Sequence, residues 1–246
     1  MSRASALLRL VLVALVVTTG FTMLTSKSAF AYSCDGYFCH YHMWANSGSG
    51  ANGTRGYITA PTSISGISSQ NEDTLTLSTW MWGSAGTGYQ SSVEAGLAYG
   101  YASYCGTYVA YWHPYGTKDN GGTGQEACGT HLYGGTSYLT SAYHSGSNAH
   151  SRVQDGSTIV FDYNWGSYSD IFGFDNMSQY EVWATQGQSV PSWGSSSIGG
   201  LQWEDSNGNW NYWGFLNTST DNQNGCPYTS LKLSSIAFQG YKSSGC

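Results

Sequence analysis

Charge is what this sequence has least of. Only 9% of its 246 residues are Asp, Glu, Lys or Arg. There is no basic stripe with which to neutralise phosphates or an anionic headgroup layer. Nucleic acid and membrane surfaces are therefore excluded as expected partners. Helical patterning is missing too. After the first thirty residues no window carries apolar residues at i, i+3, i+4 and i+7 over three turns. Beyond that leader no apolar run is long enough to span a bilayer. Proline occurs four times, so turns must rest on Gly, Asn and Ser. No Gly-x-Ser-x-Gly elbow is present, and no Ser-His-Asp set follows from spacing.

The N-terminus carries Arg3 and Arg9, an apolar run from Leu10 to Val17 and the small-x-small end Ala29-Phe30-Ala31. This is the pattern of a secretory signal peptide, residues 1–31, cut before Tyr32. Residues 32–246 then form a single secreted, extracellular domain, soluble and expected to be monomeric. Removing the leader leaves five basic residues against fourteen acidic ones, a net charge of −9. Such a surface has few ion pairs to lose in acid.

All six cysteines, Cys34, Cys39, Cys105, Cys128, Cys226 and Cys246, follow the leader. An even count in an exported chain reads as disulfides. Pairing of sequence neighbours gives Cys34–Cys39, Cys105–Cys128 and Cys226–Cys246. The rival reading is a metal site at Cys39-His40-Tyr41-His42, which an oxidising compartment disfavours.

Short alternating runs fill the rest: Leu75–Trp82, Tyr108–Trp112, Thr158–Tyr163, Tyr180–Trp183, Gly200–Trp203, Trp210–Leu216 and Leu231–Phe238. Gly, Asn and Ser clusters separate them. Asn46–Gly53 and Gly116–Gly129 read as loops. Many short strands with Gly-rich turns predict an all-β sandwich or jelly roll of two antiparallel sheets.

In so uncharged a chain, an acidic residue inside an apolar strand is a candidate for chemistry. Glu94 stands in Ser91-Ser92-Val93-Glu94-Ala95-Gly96-Leu97, opposite the apolar face and flanked by small residues. Gln202 and Glu204 share one face of a second run. A carboxylate and a carboxamide so placed suit acid/base and oxyanion roles. Glu181, in Tyr180-Glu181-Val182-Trp183, is a third candidate. His113 closes a strand and reads as a packed histidine. Among the many aromatics, Trp80, Trp82, Tyr111 and Trp203 are the candidates to line a substrate groove.

The order of Gly56-Tyr57-Ile58-Thr59-Ala60-Pro61, Ser78-Thr79-Trp80-Met81-Trp82-Gly83, Tyr89–Gly96 and Tyr108–Tyr115 resembles the glutamic peptidases, the eqolisins and the neprosin-type enzymes. Asp155–Val160, Thr185–Val190 and Leu201-Gln202-Trp203 keep the eqolisin order. The resemblance implies a lectin-like jelly roll and a secreted acid-active endopeptidase needing no metal or organic cofactor, with a polypeptide as substrate. Eqolisins carry glutamine on the earlier strand and glutamate on the later; here Glu94 and Gln202 exchange those groups. The neprosin-type pattern uses two glutamates, which points to Glu94 and Glu204. On either alignment Glu94 is the ionised general base. Gln202 donates to the oxyanion, or Glu204 replaces it as a protonated carboxyl. Ser178–Trp183 also resembles the nucleophile strand of small jelly-roll cellulases. The alternatives are thus a jelly-roll glycoside hydrolase acting on polysaccharide and a carbohydrate-binding sandwich without catalysis.

Overall fold

The computed structural model describes residues 38–46, 52–69, 73–84, 90–102, 107–120, 124–167, 175–185, 190–222 and 228–242. All fall in one compact unit, Tyr32–Cys246. Among them there is no helix, and every strand pair is antiparallel. The all-β sandwich expected from the alternating runs is the fold observed.

One sheet has seven strands. In spatial order they are β15 (Asn217–Asn222), β1 (Phe38–Asn46), β11 (Asp175–Thr185), β4 (Thr74–Ser84), β5 (Gln90–Ala102), β6 (Thr107–Asn120) and β7 (Gly124–Cys128). The other has eight. Its order is β10 (Thr158–Ser167), β9 (Asn148–Asp155), β8 (Ser137–Ser145), β2 (Gly53–Thr59), β13 (Ser197–Glu204), β17 (Ala237–Lys242) and β16 (Tyr228–Ser234), with β14 (Trp210–Tyr212) alongside β13. A small ribbon joins β3 (Ile64–Ser65) to β12 (Ser192–Trp193).

The core lies between the two sheets. Leu75, Leu77, Val93, Ala95, Leu97, Tyr180 and Val182 point inward from the first. Ile58, Tyr138, Val153, Ile198, Leu201 and Phe238 meet them from the second. The side-chain period of two then fixes which residues leave the core. Thr79 reaches across to Thr140, Oγ1 to Oγ1 at 3.1 Å. Its neighbours Ser78 and Trp80 must therefore face outward.

Three expectations fail here. Leu231–Phe238 is not one strand but the end of β16, a turn and the start of β17. Gly116–Gly129 is not a loop: its described parts are the end of β6 and all of β7, paired from Tyr115↔Cys128 to Asp119↔Gly124. Gly and Asn lower strand propensity, but tertiary pairing along a sheet edge overrides that preference. Trp210–Leu216 is a strand only to Tyr212; Trp213 and Leu216 are nevertheless buried in the core. Cys39 lies on β1 and Cys128 ends β7. Cys128, the one cysteine whose side chain is described, is not free. Cys34, Cys105, Cys226 and Cys246 lie outside the described residues, as does the leader.

Candidate active site

The register of the seven-stranded sheet lays out its outer face as a grid. Paired residues on antiparallel strands point the same way. One row reads Met177, Trp80, Glu94, Thr117 across β11, β4, β5 and β6. The next reads Gln179, Ser78, Gly96, Tyr115. The third reads Glu181, Thr76, Ala98, His113. Glu94 and Glu181 therefore share a face, two strands apart, with Ser78 at the midpoint of the diagonal between them.

Although this face points away from the core, its polar side chains are buried. Glu94 is 4% exposed, Glu181 8% and Gln179 2%. Each carboxyl is held by neutral donors. The Tyr115 hydroxyl donates to Glu94 Oε1, and Thr117 Oγ1 donates to Oε2 at 3.0 Å. Ser78 supplies a further hydrogen bond to Glu94, and its Oγ accepts from Trp80 Nε1 at 2.5 Å. On Glu181, Gln179 Nε2 donates to Oε2 at 2.9 Å and Trp183 Nε1 to Oε1 at 2.8 Å. The backbone under Glu94 is tied to the second sheet, because Ser151 Oγ donates to its carbonyl and Trp165 Nε1 donates to Ser151 Oγ at 2.8 Å.

Local sequence explains why this arrangement fits. A Cβ on Gly96 would come within 2.7 Å of Ser78 Cβ and 2.7 Å of Tyr115 Cε1. The missing side chain lets the Tyr115 ring lie across β5 and reach Glu94. Thr and Ser on β4 keep the floor low between the two acids.

Electrostatics divides the pair. Burial pushes the Glu94 carboxyl up to about 7, and the Glu181 charge pushes it the same way; the hydrogen bonds from Ser78, Tyr115 and Thr117 act against both. Two carboxyls on one dry face cannot both ionise cheaply. Glu94 thus keeps its proton through the acidic range. Glu181 accepts an N–H bond at each of its oxygens.

The remaining predicted residues fall elsewhere. Gln202 and Glu204 are on β13, in the other sheet. They pair with Arg55 and Gly53 while the intervening Trp203 pairs with core-facing Thr54. Both therefore leave the sandwich on the side opposite Glu94. Facing sheets alone are about 10 Å apart, so neither can share one water with Glu94, and the proposed Glu94–Gln202 and Glu94–Glu204 pairs are withdrawn. Their partners are local: Arg55 Nε donates to Gln202 Oε1 at 2.6 Å. Trp203 packs against the core rather than in a groove. Burial and the Glu181 charge, which push the Glu94 carboxyl up, run against the ionised-base role expected of it.

Trp80 is paired with Glu94 and belongs to the site. Tyr111 is exposed, six residues along β6 from Thr117. The side chain of Trp82 and those of the Cys39–His42 run lie outside the described residues. Among the described residues no cluster of three or more His, Cys, Asp or Glu is placed to hold a metal ion. His113 is buried on the same face as Glu181, and burial lowers its ring to about 4. Sequence reasoning missed Gln179, Ser78, Tyr115 and Thr117. One signal was available for Gln179, which forms with Glu181 the same Gln-aromatic-Glu triplet as Gln202-Trp203-Glu204.

Comparison with protein families finds no matching family model, and no curated protein matches in sequence. Solved structures do match. One is scytalido-glutamic peptidase with a peptide-based transition-state analog, at TM-score 0.53 and 9% identity. Another is the same peptidase with a transition-state analog inhibitor, at TM-score 0.54 and 10% identity. Each match covers 83% of this chain and 98% of the other. At that identity the likeness establishes the fold: this chain has a glutamic-peptidase-like β-sandwich.

Proposed function

We propose that this protein is a secreted, acid-active glutamic-type endopeptidase whose working pair is Glu94 and Glu181. The observation that carries the reading is the placing of two buried carboxyls on one sheet face of a glutamic-peptidase-like sandwich, each fixed by neutral hydrogen-bond donors, with burial and the Glu181 charge both favouring the proton on Glu94. Paired groups whose environments push their protonation apart define an acid and a base.

Glu181 takes a proton from water as its oxygen attacks the scissile carbonyl. Glu94 gives its proton to the carbonyl oxygen, so the tetrahedral intermediate forms without free charge. Glu181 then returns its proton to the amide nitrogen as the C–N bond breaks, and the intermediate returns a proton to Glu94. Gln179 and Trp183 fix Glu181, and Tyr115 and Thr117 fix Glu94. No metal or organic cofactor enters these steps. The fold neighbour solved with a peptide-based transition-state analog supports a polypeptide substrate.

The test is hydrolysis of a denatured protein at pH 4. Glu94→Gln and Glu181→Gln should each lower the rate by about 10²–10⁴ while leaving the β-type circular dichroism spectrum intact. Full activity in either variant overturns the assignment. One observation favours a second reading. Two carboxyls beside Trp80 and Trp183 also suit a glycoside hydrolase, which needs such a pair at about 5–5.5 Å in a retaining enzyme. Release of reducing sugar from a β-glucan, with no peptide cleavage, would establish it instead. The neighbour-paired disulfides are part of the proposal; a thiol titration of the denatured mature protein should find none.

A further inference from the structure

A second concavity lies on the same sheet, away from the glutamates. It opens where β6 gains two residues relative to β5, between the pairs Ala98↔His113 and Gly100↔Val109. Its volume is about 210 Å³, below the range of about 300–1,000 Å³ common for small-molecule sites. It therefore holds one side chain or one sugar ring. Buried Trp112 and Leu132 form the apolar floor, with Trp112 Nε1 fixed on the Pro61 carbonyl at 2.9 Å. Tyr111, His131 and Tyr133 form a wall of successive rings, with centroids 4.5 and 4.9 Å apart and planes inclined at 50° and 45°. None of the lining residues is Asp, Glu, Lys or Arg.

We infer that this pocket is a distal substrate subsite that receives an aromatic side chain of the polypeptide being cleaved; the inference rests on the peptidase reading above. Three features select that occupant. The absence of charged lining leaves nothing to pair with a charged side chain. Rings inclined to one another favour edge-to-face packing of a further ring, whereas a sugar stacks on a flat platform. The pocket also shares β6 with the site, its Tyr111 standing on the same strand face as His113, Tyr115 and Thr117. From Thr117, which holds Glu94, to Tyr111 is six residues, or about 20 Å of strand. The middle of the site, the Ser78–Gly96–Tyr115 row, is four residues from Tyr111, so an extended substrate running beside β6 brings a side chain to the pocket about four residues or more from the scissile bond.

The test uses synthetic peptides of fourteen residues with one cleavable bond and an otherwise Ser/Ala sequence. A single Phe is moved through the positions four to seven residues from that bond, on each side in turn. The expected result is that Phe at a distal position on one side raises kcat/KM about tenfold through KM, relative to Ala. Tyr133→Ala and, independently, Ala110→Trp, which fills the cavity, should erase that gain. Both should cleave a truncated peptide lacking the distal segment at the wild-type rate. No positional preference, or a preference that survives both variants, overturns the subsite. Binding separates this failure from failure of the peptidase reading. Fluorescence anisotropy of the labelled Phe and Ala peptides on Glu94→Gln protein should show the same preference without turnover. If Phe-dependent binding is present but wild-type protein cleaves nothing, the pocket stands as a peptide site and the peptidase reading falls. Displacement of the Phe peptide by a neutral glucan oligosaccharide at lower concentration than by free peptide assigns the pocket to sugar and overturns the inference.

Discussion

Gln179-Tyr180-Glu181 and Gln202-Trp203-Glu204 are the same triplet on opposite sides of one sandwich. In each, the central aromatic turns toward the core and the amide and carboxyl turn out. On β11 the pair shares its sheet face with another acid, Glu94, across β4. On β13 the pair meets Arg55, which binds Gln202 and stacks on the Trp210 ring at 4.2 Å. Burial raises the Glu204 carboxyl while the Arg55 charge opposes the shift. At Glu94 burial and the neighbouring charge act in the same direction instead. The chemistry of a Gln-x-Glu triplet is therefore decided by the strands beside it, not by its own residues.

The sharpest way to break this comparison is to substitute both sides. Glu181→Gln should cost two to four orders of magnitude in peptide hydrolysis, and Glu204→Gln less than twofold. Equal losses would return β13 to the site.

Stability gives the next largest contrast. Folded Glu94 holds its proton to about 7, whereas in the unfolded chain the proton leaves near 4.5. Between those values the native state binds more protons than the unfolded state, so stability falls as pH rises. The contribution is fully present below about pH 4.5 and lost through pH 7, amounting to at most about 3 kcal/mol. Buried His113, lowered to about 4, contributes an opposing rise over much of the same window, so the fall is read as the difference between wild type and Glu94→Gln in urea denaturation from pH 4 to pH 8. A wild-type-minus-variant difference that rises across the window would mean Glu94 is ionised in the folded protein.

Gly53→Ala probes the other face alone. Its Cβ would lie 2.8 Å from Glu204 Oε2 and 2.8 Å from Tyr143 Cβ. Overpacking of this kind costs about 1–3 kcal/mol. The midpoint in urea should fall without change in kcat on peptide.

Tyr115→Phe makes the finest test. The lost hydroxyl is one of the donors that hold Glu94 down, so its proton should persist to higher pH. The alkaline limb of the kcat profile should move up by up to about one pH unit. A shift to lower pH would contradict the role of Tyr115.

Much of the fold was legible because the core-facing positions of β4, β5 and β11 alternate large apolar residues with polar ones. Among the strands that went unread, β8 and β9 carry Thr140, Ala142, Ala149 and Ser151 on their inner side between Tyr138 and Val153. Small and hydroxylated residues leave no period for the eye, yet they pack against Gly116 and Thr79 of the facing sheet.

The sequence by itself determined the β class, and it determined that Glu94 and Glu181 leave the core side of their strands. Alternation is local and needs only the pleat of one strand. The tertiary structure alone decided that β4 stands between β5 and β11, so that residues 94, 78 and 179–181 meet, while β13 joins the opposite sheet. Strand order depends on which distant segments bury their apolar faces together, and the outward-facing acids take no part in that choice.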